Sequence, residues 1–175
     1  MGKGPTTADH IAASEGSNEP QRANNFQLVI DGLPGGTGDS DVIFLSINNL
    51  TIPRDVDDKI TIRWGNEERH VSGNTTMEDM PISLHDYVDN ALRQVLVAWR
   101  KLVYDPGSGA KGLARNYKKK GWIWLFAPDG IQFKRICEVQ GIWPTAGVGG
   151  NLTMEGGKVE IELPLSVDKA LWSFS

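Results

Sequence analysis

Residues 86–104 have the most regular helical pattern in the chain. Apolar residues recur there every three or four positions, and polar or charged residues occupy most of the positions between them. This pattern predicts an amphipathic helix with one face buried against a sheet. Asp86 is the expected N-cap. Arg100 and Lys101 suit the negative end of the helix dipole, and Pro106 follows the expected end of the helix.

The segments on both sides of this helix have the patterns of β-strands. The predicted strands span residues 26–30, 42–47, 59–64, 67–72, 76–84, 121–126, 131–143 and 158–165. The last has the cleanest alternation, with one side formed by Val159, Ile161, Leu163 and Leu165 and the other by Lys158, Glu160 and Glu162. We therefore expect the first side to face the core and the second to face water.

Two of the connections predict hairpins. The Asp129-Gly130 step favours a tight turn that pairs residues 121–126 with residues 131–143. A charged connection precedes residues 59–64, whose apolar and polar side chains alternate. We interpret this region as a long hairpin with a projecting tip at residues 51–58.

The two ends of the chain differ in composition. Residues 1–23 are rich in Gly, Ser, Thr, Asn, Glu and Pro, and Ile11 is the large apolar residue among them. A segment of this kind cannot contribute to a core, so we expect a flexible N-terminal arm. Residues 24–175 then form a single, strand-rich domain, which is long enough to bury a sizeable core without disulfide bonds.

The charge of the chain is acidic overall but unevenly distributed. A formal net charge of -4 and a pI near 5.4 argue against a dedicated nucleic-acid binder, which needs a basic face. Acidic residues outnumber basic ones in residues 54–89, whereas residues 100–120 carry seven bases: Arg100, Lys101, Lys111, Arg115, Lys118, Lys119 and Lys120. This polarity is typical of a solvated loop or of complementary surfaces for self-assembly.

The polar residues do not form a recognisable catalytic or metal-binding pattern. His10, His70 and His85 lack the spacing of a metal site, and Glu67 and Glu68 beside His70 are typical of a solvated strand edge. Nucleophile elbows, phosphate-binding loops and dinucleotide fingerprints are missing from the sequence. We therefore predict that the protein is not an enzyme and uses no cofactor or metal.

The single cysteine and the apolar runs bear on the compartment. Cys137 cannot form an intramolecular disulfide, and its apolar neighbours predict a small buried side chain. The sequence has no uninterrupted apolar run of the length that spans a bilayer. We expect a soluble, cytoplasmic product with no membrane partner.

The order of these elements resembles the tail tube proteins of contractile-tailed bacteriophages, over about residues 25–170. The resemblance rests on residues 25–33 (NFQLVIDGL), the helix ending in Trp99-Arg100-Lys101, the hairpin of residues 124–133 with Gly141-Ile142-Trp143-Pro144, and residues 159–168 (VEIELPLSVD). The same order is similar to that of tube proteins from related contractile injection systems.

The resemblance implies a β-sandwich or small barrel flanked by one helix. It further implies homo-hexameric rings that stack into a tube inside a sheath, with baseplate or tube-initiator and tail-terminator proteins at the ends. Tape-measure protein and, transiently, DNA would occupy the lumen. The expected location is the virion tail, after synthesis in the host cytoplasm.

Candidate residues follow for two surfaces. Glu160, Glu162 and Lys158 are the expected lumen-facing residues, because an acidic lining avoids binding phosphate. The expected inter-ring contacts lie in the charged connection, at Thr51, Pro53, Arg54, Asp55, Asp57 and Asp58. Two alternatives stay open: a tube protein of a type VI-like or extracellular contractile injection system, and an unrelated β-barrel binding module.

Overall fold

A computed structural model describes residues 23–35, 43, 46–88, 90–127, 133–149 and 158–173. Its strands are β1 (Phe26–Asp31), β2 (Ile47–Leu50), β3 (Asp55–Trp64), β4 (Glu67–Met77), β5 (Met80–His85), β6 (Lys119–Phe126), β7 (Phe133–Pro144), β8 (Glu160–Ser166) and β9 (Lys169–Trp172). Its helices are α1 (Ala91–Val103) and α2 (Ala114–Tyr117). The predicted arm lies outside the described residues, apart from Ala23.

Seven strands form one antiparallel system in the order β1-β6-β7-β8-β5-β2, and β9 pairs with β7. Strands β3 and β4 form a separate hairpin. The predicted fold class, a mainly β domain with a flanking helix, is confirmed. The predicted pairing of residues 121–126 with the strand that follows is also confirmed, because β6 pairs with β7 along its whole length.

Strand β7 joins the two halves of this system. Its residues up to Ile142 pair with β6, whereas Trp143 and Pro144 pair with β8. Gly141 lies next to the change of partner, with a left-handed φ of 71° that favours glycine. A Cβ at Gly141 would collide with the Asp168 carboxylate, which accepts a hydrogen bond from Lys118 Nζ at 2.5 Å.

The core lies between the sheets and α1. The helix buries Leu92, Val95, Leu96 and Trp99, and the Trp99 indole Nε1 donates to the Tyr117 carbonyl at 2.8 Å. Side chains from β1, β5, β6, β7 and β8 supply most of the rest of the core, with Leu33, Ile43 and Val167 from the connections. The predicted burial of Cys137 is confirmed.

The predicted start of the helix is wrong. Helix α1 begins at Ala91, with Asn90 at the N-cap position in a left-handed conformation. Asp86 cannot be the cap because its backbone N–H still donates to the Val159 carbonyl at 3.0 Å, which continues the sheet beyond β5. Its carboxylate instead accepts a hydrogen bond from Arg93. At the other end, the helix stops at Val103, close to the predicted end.

Two predicted strands are also corrected. Ile43 and Ser46, within predicted strand 42–47, are helical and buried, and β2 begins only at Ile47. A continuous apolar run does not distinguish a buried strand from a buried helix segment. Strand β4 continues to Met77, where the sequence predicts a break after residue 72, because pairing with β3 resumes beyond an irregularity in the register.

Within the basic segment, residues 107–120 contain α2 and the first residues of β6, so they are not simply the solvated loop that their charge favours. Lys120 pairs with Asp31 of β1, so this part of the basic segment belongs to the sheet.

The predicted tip of the hairpin is at the wrong end. Asp55 and Asp57 pair with Met77 and Thr75, so most of residues 51–58 lie at the base of the hairpin. The tip is the turn after Trp64, where Gly65 has a φ of 62°. Charged residues can occupy this end of β3 because both of its faces are exposed there.

We predict that Gly141→Ala destabilises the subunit more than the matched change Gly109→Ala. Gly109 has a φ of 70° with open space around it, so its substitution isolates the left-handed strain, about 1–2 kcal/mol. Gly141→Ala adds the collision with Asp168 and disturbs the ion pair with Lys118. Denaturant unfolding of the unassembled subunit measures the free energy of unfolding of both variants. Equal losses of this free energy would contradict the role given to Gly141.

Candidate assembly surfaces

The β8 polar face consists of Lys158, Glu160 and Glu162, all exposed. The intervening side chains Ile161 and Leu163 are buried, so the predicted alternation is confirmed. The face therefore carries two carboxylates on the side of the sheet opposite the core. That this face lines a lumen remains a prediction.

Neighbouring strands extend this polar face. Ser83 and His85 of β5 lie opposite Glu162 and Glu160, so their side chains share the face. Asn48 Nδ2 donates to the Glu160 Oε1 at 3.2 Å, which ties β2 to the same surface. The result is a continuous polar sheet surface with a net negative charge on β8.

One side of the β3–β4 hairpin, which we call the hairpin apolar face, carries Ile60, Ile62, Trp64 and Val71, together with Arg69 across from Ile62 and Glu67 across from Trp64. The first three alternate along β3, and Val71 lies directly opposite Ile60. Their side chains are far from buried, at 50%, 45%, 79% and 46% exposure in the same order. The sequence pattern indicated the alternation of β3 but not that its apolar side stays uncovered within the subunit.

The other side of the hairpin is polar and internally paired. Thr61 Oγ1 and His70 Nδ1 are 3.2 Å apart, and Arg63 Nε donates to Glu68 at 3.0 Å. Glu67 lies on the hairpin apolar face, directly across from Trp64. The structure therefore does not bring Glu67 together with Glu68 and His70 as an acid–base group. These cross-strand pairs instead fix the register of the hairpin.

The base of the hairpin contains the residues predicted to contact the next ring. Arg54 donates to Glu78 through two nitrogens, at 2.6 and 3.1 Å. This bidentate bond raises the pKa of Arg54 and lowers that of Glu78. Thr51, Asp55, Asp57 and Asp58 are exposed as well, whereas Pro53 is buried inside the subunit.

Asp57 is held by two hydroxyl groups from β4. Its carboxylate accepts from Thr75 Oγ1 at 2.5 Å and from Ser72 Oγ at 2.7 Å. Both bonds favour the charged form and lower the pKa of Asp57, with the Thr75 bond as the larger cause. Asp57 is therefore fixed as an anion at the surface of the hairpin base.

The basic residues form a surface around the end of α1. Arg100 donates to the Pro144 carbonyl at 2.8 Å, and Lys118 is paired with Asp168, whereas Lys101, Lys111 and Arg115 are exposed. Hydrogen bonds from the Ser108 hydroxyl and the Gly107 N–H lower the pKa of the nearby Asp105. Part of the basic charge is thus neutralised within the subunit.

A groove of about 670 Å³ lies where the sheet is open, and we call it the edge groove. Its lining comes from β1, β2 and β6 and the residues beside them: Ala23, Asn24, Phe26, Ile47, Asn48, Asn49, Leu50, Ile52, Ile123 and Leu125. β1 and β2 end the strand order, so the groove lies between two edges. No sequence signal predicted it, because its walls come from distant parts of the chain.

Among the described residues, we find no arrangement of side chains that indicates a chemical site beside these surfaces. No cluster of three or more potential metal ligands (His, Cys, Asp or Glu) lies among the residues that the structure describes. Burial raises the pKa of the Cys137 thiol, which disfavours a reactive thiolate. Helices long and apolar enough to cross a membrane are not found within the described ranges.

Two curated proteins are similar in sequence to this chain. The tail tube protein gp19 of Enterobacteria phage T4 is 25% identical over 138 residues, which cover 78% of this chain and 81% of gp19. The tail tube protein gp19 of Enterobacteria phage T6 is 24% identical over 138 residues, which again cover 78% of this chain and 81% of the relative. No protein-family model matches the chain.

Solved structures share the fold. A chain of the sheath–tube complex of PVC, an extracellular contractile injection system, matches 98% of this chain and 100% of its own length, with a TM-score of 0.63 and 16% identity. A PVC sheath/tube terminator chain matches 90% of this chain and 99% of its own length, with a TM-score of 0.66 and 13% identity. A chain of the SPP1 tail tube matches 89% of this chain and 80% of its own length, with a TM-score of 0.58 and 11% identity. The predicted resemblance to tail tube proteins is confirmed.

We predict that Thr75→Val raises the pKa of Asp57 toward its ordinary value, because the change removes the larger stabilising hydrogen bond. The folded pKa is lowered, so the contribution of Asp57 to hairpin stability is present at neutral pH and is lost as pH falls through that pKa. Carboxyl NMR titration measures the shift. Thr76→Val is the control, since Thr76 donates to the Val56 carbonyl instead. Equal pKa values of Asp57 in the Thr75→Val and Thr76→Val variants would contradict the conclusion that the Thr75 hydrogen bond lowers this pKa.

Proposed function

We propose that this protein is a structural subunit of a phage tail tube, whose rings stack around a lumen that conducts DNA during ejection. The similarity to gp19 of phage T4 across 78% of the chain carries this proposal. The fold supports it, since a PVC sheath–tube chain is matched over 98% of this chain. The role is structural and not catalytic, as the names of both curated relatives suggest.

The proposed assembly is a homo-hexameric ring. The strand order leaves β1 and β2 as edges, and exposed edges in a soluble protein are commonly covered by pairing or packing with another chain. A contact between two different surfaces of neighbouring copies generates a closed ring when the rotation from each copy to the next adds up to a full turn. Edge strands and a projecting hairpin in each subunit therefore suit cyclic assembly.

The proposed partners follow from the assemblies in which the fold occurs. These are described as a sheath–tube complex, a sheath/tube terminator, a tube-terminating cap and a baseplate. We infer that the tube contacts a sheath along its length, a baseplate or tube initiator at one end and a terminator at the other. Tape-measure protein and DNA pass through its lumen, and the tube belongs to the virion tail after synthesis in the host cytoplasm.

In this proposal the β8 polar face lines the lumen, through Lys158, Glu160 and Glu162. DNA carries one negative charge about every 1.7 Å along its axis, so a basic lining would bind it by releasing counterions. The two carboxylates of β8 repel phosphate instead. Lys158 adds one positive charge near them, which leaves the face net negative.

The base of the hairpin forms the proposed inter-ring contact, through Thr51, Arg54, Asp55, Asp57 and Asp58. Their side chains are exposed, and the hydrogen bonds of Arg54 and Asp57 hold them in fixed orientations. Pro53 supports this segment from inside, because it is buried in the subunit.

A second candidate function is a tube protein of a contractile injection system, which carries a different cargo. The observation that favours it is the near-complete coverage of the PVC chains, at 99% and 100% of their length. The two functions need the same subunit geometry. The genes beside the coding sequence distinguish them, since capsid and terminase genes indicate a phage and toxin genes indicate an injection system.

We predict that the purified protein assembles into rings or hollow tubes at high concentration, because its edges and hairpin are uncovered in a single copy. Sedimentation velocity and negative-stain electron microscopy measure this. A chain that stays monomeric across concentration, salt and addition of a preformed tube end would contradict the proposal.

We predict that the double variant Glu160→Lys and Glu162→Lys assembles normally but releases DNA slowly. Both side chains lie on the exposed side of β8, so the core is unchanged, and the hydrogen bond that is lost is the one from Asn48 to Glu160. The new charges attract phosphate. Ejection rate against salt concentration measures the effect, which weakens as salt rises. The control is Glu160→Gln with Glu162→Gln, which removes charge without adding any. Wild-type ejection by the lysine variant at low salt would show that these residues lie outside the lumen.

A further inference from the structure

We propose that His85 makes the charge of the β8 polar face depend on pH. When its imidazole is protonated, His85 pairs with Glu160 and cancels the net negative charge that each copy presents on this face. The inference rests on the proposed function, because this charge acts on DNA only where the face lines the lumen. It adds a residue of β5 that controls the face from the neighbouring strand.

The register of the sheet holds His85 on the polar face. His85 is the last residue of β5, and it lies directly across from Glu160 of β8. Side chains that are directly opposite in an antiparallel pair have Cβ atoms about 5 Å apart. Glu160 is exposed, and its Oε1 accepts from Asn48 Nδ2 at 3.2 Å. A carboxylate that is already oriented by β2 therefore lies within reach of the His85 ring.

One atom of the His85 ring makes the pairing depend on protonation. Nδ1 is buried and has no hydrogen-bond partner among the residues that the structure describes. In a neutral imidazole this atom can be the nitrogen without a proton, whereas an imidazolium donates from both nitrogens. A buried donor needs an acceptor. Because Glu160 is the carboxylate directly across the sheet, protonation of His85 favours a bond to Glu160.

The other charged groups around His85 come from β8 and α1. Glu162 and Lys158 of β8 lie diagonally from His85 on the same face. The four residues of β2, which pairs with β5 on its other side, are all uncharged. Asp86 follows His85 in the chain, and its carboxylate is paired with Arg93 of α1. Among these groups, histidine is the side-chain type that changes charge between about pH 5 and pH 8.

One charge per copy matters because a tube repeats it. Lys158, Glu160 and Glu162 leave one net negative charge on the face, and a protonated His85 brings that charge to zero. A single exposed ion pair has little effect on stability. Charges that line a concave wall, however, act together on a molecule inside it. The wall therefore loses its repulsion of phosphate at low pH, and DNA passes more slowly.

Ejection rates at two pH values test this role in virions that carry the full-length variants. We expect the wild type at low salt to release DNA at least about twofold more slowly at about pH 5.5 than at about pH 8. His85→Gln cannot take up a proton, so it should remove this pH dependence. His85→Lys is charged at both pH values, so it should release DNA slowly at both. His70→Gln is the matched control, because His70 lies on the hairpin beside Thr61.

NMR titration of the unassembled subunit tests the pairing separately. As pH falls, the carboxyl resonance of Glu160 should move in the same step as the ring nitrogens of His85. This step should be missing from the Glu160 titration in His85→Gln. Glu162 is the internal reference, because it lies across from Ser83 instead of His85. A Glu160 resonance that moves identically in the wild type and in His85→Gln overturns the pairing.

The outcomes distinguish this inference from the proposed function. A pH dependence that His85→Gln abolishes and His70→Gln leaves intact supports the inference. Ejection by His85→Gln that slows at low pH as much as in the wild type overturns it and leaves the tube function standing. A coupled titration in the subunit with ejection that neither variant of His85 changes overturns the role in DNA passage, because the face then lies outside the lumen. A wild-type chain that never assembles removes the proposed function, and the subunit titration still decides the pairing.

Discussion

The path of β7 is the constraint on which the rest of the structure depends. One strand pairs with β6 through most of its length and then with β8 at its last two residues, so both halves of the sheet system meet along it. Gly141 permits the change, and the Pro144 carbonyl at the end of β7 accepts from Arg100 of α1. The same strand therefore positions the helix on one side and β8, with its polar face, on the other.

This arrangement separates the part of the chain that stabilises the subunit from the parts that remain for partners. The core takes its side chains from α1 and the main sheets, and β3 contributes none because all ten of its residues are exposed. The other strand of the hairpin, β4, reaches the core through Met77, which packs against the buried cluster. The apolar character of Ile60, Ile62 and Trp64 is thus unexplained by the folding of one copy.

Sequence reasoning succeeded where a pattern was local. The alternation in β8 identified its buried and exposed sides, and the apolar run of β6 with the turn after it identified a hairpin. It failed where distant pairing decided the outcome: Asp86 looks like a helix cap, but the Val159 carbonyl holds its N–H in the sheet. The hairpin apolar face was visible as alternation, whereas the edge groove required β1, β2 and β6 to meet. Such surfaces have no signature in a single segment.

The proposed role of the β8 polar face is electrostatic, so its range is set by salt. Repulsion between the β8 carboxylates and DNA is screened within about 8 Å at physiological ionic strength, so it acts only on a molecule close to the wall. Core-facing and outward positions alternate along β8, so Glu160 and Glu162 can change without altering the buried side chains of Ile161 and Leu163. The charge of this face is therefore free to suit whatever passes it, while the same strand continues to stabilise the subunit.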